Sequence, residues 1–204
     1  RIVGKVIKAG PKGLRKLAHL ISDTVYEAVT GVRGAFSTKI AYVTLKQLTK
    51  KKQEYRLQVS DADGQNNYTL FKSSEPMLSL AWSNDGQHIA YVSFDTGRPA
   101  IYIQHVKSAQ QKRLMSHKGI NSSPMWSPDD SSLLITLSKD GNAEIYRYDL
   151  ANGKLQRLTN HYSIDTEGSW SQDGKSIVFT SDRSSRPQVY RMTLKDLVPE
   201  RLTF

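Results

Sequence analysis

The chain has 204 residues, 38% of them apolar and none of them cysteine. This composition is too apolar for wholesale disorder and excludes disulfides, thiol catalysis and cysteine-held zinc. The net charge of +10 resides in residues 1–60, with 13 Lys or Arg against 3 Asp or Glu, whereas residues 61–204 carry 16 of each; that neutrality removes the basic footprint of a nucleic-acid-binding domain.

Residues 1–7, Arg-Ile-Val-Gly-Lys-Val-Ile, read as the tail of a strand. Gly10-Pro-Lys-Gly13 then breaks the chain. Leu14, Leu17, Ala18, Ile21, Val25, Ala28 and Val29 form an apolar stripe at helical spacing, and Gly31 stands where a helix would stop. A strand and one amphipathic helix of about 17 residues cannot make a core of their own. Residues 1–33 are therefore expected to be the C-terminal remnant of an α/β domain.

Residues 40–43, 54–59 and 68–71 read as three short strands. From there the chain repeats itself. Trp82-Ser-Asn-Asp-Gly86, Trp126-Ser-Pro-Asp-Asp130 and Trp170-Ser-Gln-Asp-Gly174 recur every 44 residues, and Tyr102, Tyr146 and Tyr190 keep the same step, as do Arg113, Arg157 and Arg201. A period in the low forties with strand-like contents marks a β-propeller, in which each unit is one four-stranded blade. In the middle unit, 124–126 reads as strand a, 133–137 as strand b, 144–148 as strand c and 155–158 as strand d. Asn152-Gly153 supplies the c-to-d turn.

The expected fold is thus all-β: a propeller of WD40-like blades over residues 34–204, with a partial blade at 34–73 and full blades at 74–116, 117–160 and 161–204. The partial blade lacks strand a. Three blades and three strands fall below the usual four to eight blades, so the count favours a piece of a longer protein.

Catalytic patterns are not evident. Histidines 19, 88, 105, 117 and 161 occur singly, no nucleophile elbow or Walker loop is present, and Asp61-Ala-Asp-Gly64 lacks the terminal Glu of a calcium loop. No metal or cofactor is assigned, and no apolar run is long enough to span a membrane. Lys50-Lys-Lys52 reads as a solvated connection. The d-to-a connections at 72–78, 116–122 and 160–167 are the long, varied ones. With the b-to-c loops containing Arg98, Lys139, Arg183 and Arg186, they frame one mouth of the channel, where recognition is expected. Thr166, Glu167, Asn121 and Ser123 are expected just before strand a, facing the axis.

The Trp-Ser-Pro-Asp-Asp and Trp-Ser-Gln-Asp-Gly units resemble the WD40-like repeats of the TolB family. So do Gly34-Ala-Phe-Ser-Thr-Lys-Ile-Ala-Tyr-Val43, Ser181-Asp-Arg-Ser-Ser-Arg-Pro-Gln-Val-Tyr190 and the helical segment 18–31. The resemblance implies a non-enzymatic periplasmic adaptor of the Tol-Pal envelope system, serving outer-membrane integrity and cell division and exploited in colicin import. It implies Pal lipoprotein bound at the propeller mouth and TolA bound through an N-terminal tail that maps to no residue here. It implies neither nucleic-acid binding nor membrane insertion. Matched by position, the partner-binding residues are Leu78, Ser79, Ile120, Asn121, Ser122, Ser123, Asp165, Thr166 and Glu167, with Ile120 departing from the His expected there. The competing reading is the gating propeller of a prolyl-oligopeptidase-like serine peptidase, which would need a hydrolase domain beyond this sequence.

Overall fold

The structure is a computed structural model that describes residue 10 and residues 13–204. The strand expected at 1–7 lies outside the described residues. Two compact units are present, residues 1–42 with 57–70, and residues 43–56 with 71–204.

In the first unit, α1 spans Leu14–Thr30 and ends on Gly31, whose left-handed φ of 72° lets its N–H reach the Glu27 carbonyl. None of its residues is buried, and the apolar stripe lies open, with Val25 and Val29 among the exposed positions. Three strands follow, β1 (Lys39–Thr49), β2 (Lys52–Asp61) and β3 (Tyr68–Ser73), in a sheet of order β1-β2-β3 whose residues 43–56 and 71–73 are counted in the second unit. β1 and β2 run well past the expected 40–43 and 54–59. Lys46 and Lys52 therefore lie in strands, and only the Lys50-Lys51 turn remains of the expected loop.

The second unit carries three antiparallel four-stranded sheets in simple up-and-down order. The first holds β4 (Met77–Trp82), β5 (His88–Ser93), β6 (Ala100–His105) and β7 (Gln111–Met115); the second holds β8 (Asn121–Trp126), β9 (Ser132–Leu137), β10 (Glu144–Asp149) and β11 (Leu155–Arg157). The third holds β12 (Asp165–Trp170), β13 (Ser176–Ser181), β14 (Gln188–Thr193) and β15 (Pro199–Arg201). This is the expected all-β propeller architecture of four-stranded blades. The inner strands β4, β8 and β12 are neighbours: the Trp126 indole donates to the Ala81 carbonyl at 3.1 Å, and the Trp170 indole to the Met125 carbonyl at 3.3 Å.

The interior shows why strand b is largely apolar on both faces. Every residue of β9 is buried. Leu133, Ile135 and Leu137 join a cluster with Ala90, Val92 and Ile101 of the blade before, while Leu134 joins Ile177, Phe179 and Met192 of the blade after. Side chains alternate sides along a strand, so a sheet sandwiched between two sheets must be apolar at both parities.

The repeated signature turns out to be a hydrogen-bonded turn. The Ser127 hydroxyl donates to Asp129 at 2.6 Å and accepts the Ser132 N–H at 3.0 Å, and Asp129 also accepts the Ser131 N–H. Ser83 with Asp85, and Ser171 with Asp173, repeat the arrangement. These bonds favour the ionised carboxylate; led by the Ser127 hydroxyl, they lower Asp129 to about 2. Asp130 occupies the position that is Gly86 and Gly174 in the other copies, with φ 56°, and its carboxylate accepts the Asn84 and Asp85 N–H groups of the preceding blade at 2.8 and 2.9 Å. There the strained side chain is retained because it ties one blade to the next.

Candidate functional site

The rim at the start of the inner strands is built by the same device three times. Pairing of β4 with β5 shifts between Leu78 and Ala81, that of β8 with β9 between Ser122 and Met125, and that of β12 with β13 between Thr166 and Ser169. Inside each bulge one non-glycine residue takes a left-handed backbone: Ser79 at φ 53°, Ser123 at 50° and Glu167 at 57°. These positions are 44 residues apart. Such a backbone costs roughly 1–2 kcal/mol for an L-residue, and bulges re-aim side chains away from the regular pleat. Residues 121–123 and 165–167 thus sit within the inner strands rather than before them, because the bulge lets pairing resume around them.

The bulge sorts the expected contact residues. Leu78, Ser79, Ile120 and Glu167 are exposed, and Ser122, Ser123 and Thr166 are half-buried. Asn121 and Asp165 are buried, at 1% and 0% exposure, so they hold the loops rather than face the axis. The Asn121 side chain accepts the His117 N–H and donates to the His117 and Gly119 carbonyls, closing the 117–121 turn on itself. Asp165 accepts the Arg183 guanidinium at 2.6 Å. Arg183 lies over the Phe179 and Tyr190 rings at 5.4 and 5.0 Å, and its Nε donates to Ser181 at 2.9 Å. A desolvated cation stacked on two rings and paired to a buried carboxylate is a rigid post beneath the rim.

The residue just before each inner strand shows a second repeat logic. The Ile120 N–H donates to the Ser138 hydroxyl and the Ile164 N–H to the Asp182 carboxylate, both at 2.8 Å. In the first blade the matching residue is Pro76, which has no N–H, and Phe94 stands where Ser138 and Asp182 would be. The acceptor is present in the two blades that have a donor to satisfy.

The loop leading to β12 is anchored by a buried carboxylate that sequence reasoning missed. Glu144, with 0% exposure, accepts the Arg157 guanidinium at 2.8 Å, the Thr159 hydroxyl at 2.5 Å and the His161 N–H at 2.7 Å. Its alternating strand context reads like any other Glu, and only burial reveals it. The same loop exposes Tyr162 at 86% and Ile164 at 51%, beside the expected set. Ile164 could have been found, since it lies one repeat after Ile120; Tyr162 has no repeat mate. In the b-to-c loops, the Tyr102 hydroxyl donates to Asp95 and the Tyr146 hydroxyl to Asp140, at 2.9 and 2.7 Å. Burial, and then the neighbouring carboxylate, push both phenols up to about 12. Lys139 pairs with Asp140, while Arg98 and Arg186 are exposed. Among the described residues no group of three or more His, Cys, Asp and Glu is placed to hold a metal ion, and no helix is long and apolar enough to cross a membrane.

A family model for the TolB β-propeller domain matches residues 26–204. The chain belongs to the TolB β-propeller family. Over 123 residues it is 54% identical to the Tol-Pal system protein TolB of Hahella chejuensis, a stretch covering 60% of this chain and 28% of that relative; TolB of Nitrosococcus oceani is 48% identical over the same shares. The crystal structure of TolB from Acinetobacter baumannii superposes on the whole chain with a TM-score of 0.91 and 42% identity, and the chain spans 51% of that structure. A puromycin-hydrolysing peptidase of Mycobacterium tuberculosis, at 18% identity and TM-score 0.62 over 84% of this chain and 29% of the peptidase, shares the fold alone.

Proposed function

We propose that this chain is the propeller part of a non-enzymatic periplasmic adaptor of the Tol-Pal system, which grips Pal lipoprotein at the rim formed by Leu78, Ser79, Ile120, Ser122, Ser123, Thr166 and Glu167. In this reading Asn121 and Asp165 act from beneath, by fixing the loops. The whole adaptor reaches TolA through a tail and serves envelope integrity, division and colicin import. The observation that carries the reading is the threefold bulge, which sets a left-handed residue at equivalent places on one rim, Ser79 and Glu167 exposed and Ser123 half-buried. Likeness to TolB of Acinetobacter baumannii over the full chain supports it, whereas the peptidase reading rests on fold likeness at low identity.

The test is the pair Ser123→Arg and Thr166→Arg, two long cations placed on half-buried rim positions. Titration of Pal into the purified protein by calorimetry is expected to show affinity weakened by about tenfold or more, with the thermal unfolding midpoint nearly unchanged. Wild-type affinity in the double variant would refute the assignment of the rim.

A further inference from the structure

The β1–β2 hairpin carries the densest run of lysines among the described residues. Lys46 lies in β1, Lys50 and Lys51 form the turn, Lys52 opens β2, and Lys72 lies near the end of β3. Among the described residues none of these five makes an ion pair, and it is their number in one place that marks the segment. The segment's carboxylate, Glu54, is already claimed by Arg56 at 2.6 Å. Residues 43–56 and 71–73 thus hold six cationic side chains against one carboxylate.

The arrangement is more than a charged run. Leu48, Lys52, Glu54 and Lys72 line one shallow hollow of about 190 Å³, so three strands meet there and two of them bring a lysine. The Glu54 carboxyl is held below the usual range first by the Arg56 hydrogen bond, with Lys72 and Lys46 near enough to add to it. Leu48, which lines this hollow, is 40% exposed beside Lys52 and Lys72. The turn is braced by Gln47, which accepts from the Gln53 side chain at 3.0 Å and donates to the Thr49 and Lys52 carbonyls.

Unpaired lysines around an exposed leucine match an anionic bilayer surface, where ammonium groups meet headgroup phosphates and a short aliphatic side chain reaches the acyl boundary. Nucleic acid is the poorer fit: the unpaired cations are all Lys, without the guanidinium fork that reads phosphates and bases. We propose that this hairpin is an electrostatic docking surface for an anionic phospholipid membrane, by adsorption and not insertion, separate from the rim and independent of what the rim binds.

The experiment is flotation of the purified protein with vesicles of 30% phosphatidylglycerol in phosphatidylcholine, against pure phosphatidylcholine. Binding to the anionic vesicles at 50 mM salt, falling steeply by 300 mM, is expected. At roughly a kilocalorie per lysine, the triple variant Lys50→Gln, Lys51→Gln, Lys52→Gln should lose about 100-fold in partitioning. Leu48→Ser should lose several-fold. Removing the same charge elsewhere, with Lys107→Gln, Lys112→Gln and Lys154→Gln, should leave binding intact. Far-ultraviolet circular dichroism confirms that each variant is folded. Equal binding to neutral vesicles, no binding at 50 mM salt, equal losses in both triple variants, or displacement from vesicles by equimolar 20-base-pair DNA would each overturn the proposal.

Discussion

Glu144→Ala is the sharpest test of how the rim is held. The wild-type carboxylate is fully buried and accepts from the Arg157 guanidinium, the Thr159 hydroxyl and the His161 N–H, at distances of 2.8 Å or less. Truncation leaves all three without that acceptor. Breaking a buried charge pair typically costs about 3–5 kcal/mol; Arg157 is 29% exposed and can partly rehydrate, which places the loss near 3 kcal/mol. In a domain of this size each kcal/mol moves the melting point by about 2–4 °C, so a fall of roughly 6–12 °C is expected by calorimetry. Glu144→Gln should lie between wild type and Ala. It keeps one acceptor oxygen but presents an amide donor where an acceptor stood, and the Thr159 hydroxyl already accepts the Ile145 N–H at 2.9 Å. Hydrogen exchange should rise first in residues 158–164, ahead of the blade interiors. A melting point within 2 °C of wild type for Glu144→Ala would show that this carboxylate does not hold the loop.

Three further outcomes follow from the same geometry. Ser79→Gly should be neutral or stabilising by up to about 1 kcal/mol, because its φ of 53° suits glycine, whereas Ser79→Val should cost about 2 kcal/mol; urea unfolding giving the reverse order would remove the strain argument. Gly168→Ala places a Cβ 3.2–3.4 Å from methyl carbons of Ile145 and Leu134 in the adjoining blade, and should cost about 1–3 kcal/mol, partly restored by Ile145→Val; full stability in the single variant would argue against close blade contact there. Asp129 is ionised more readily folded than unfolded, so its contribution is complete above the unfolded value near 3.8 and is lost as pH falls through about 2. Asp129→Asn should therefore flatten the acid limb of stability between pH 4 and 2, and an unchanged limb would sink the assignment.

Much of the fold was legible because propeller blades restate one instruction. The tryptophan spacing, the Ser-x-Asp turns and the Asn152-Gly153 hairpin are local signals, and the strands appear around them. Strand ends were less legible. β8 begins at Asn121 rather than 124, because a bulge absorbs residues that break the alternation and leaves no pattern to count. The length of β1 was hidden for a related reason: Lys46 and Thr49 look like loop, and only pairing with β2 makes them strand. At the rim, the repeat identified which positions correspond but not which are buried. Asn121 and Asp165 share a register position with Met77, and each is buried through a different set of partners. Glu144 was invisible because its three partners come from the far side of its blade and from the loop beyond.

Burial of β9 on both faces has a consequence for how the chain finds its alignment. In a half-wet sheet, sliding a strand by one residue turns its apolar set into water and is forbidden on that ground alone. Leu133, Leu134, Ile135 and Leu137 give no such protection, since a frameshifted β9 would still meet hydrocarbon on either side. Its alignment has to be fixed from the ends: by Ser127 and Asp129, which fasten the first residues of the strand, and by Asp140 gripping Tyr146 beyond the last. The most faithfully repeated motif of the sequence thereby acts as the index mark that the leucines and isoleucine of this strand cannot carry themselves.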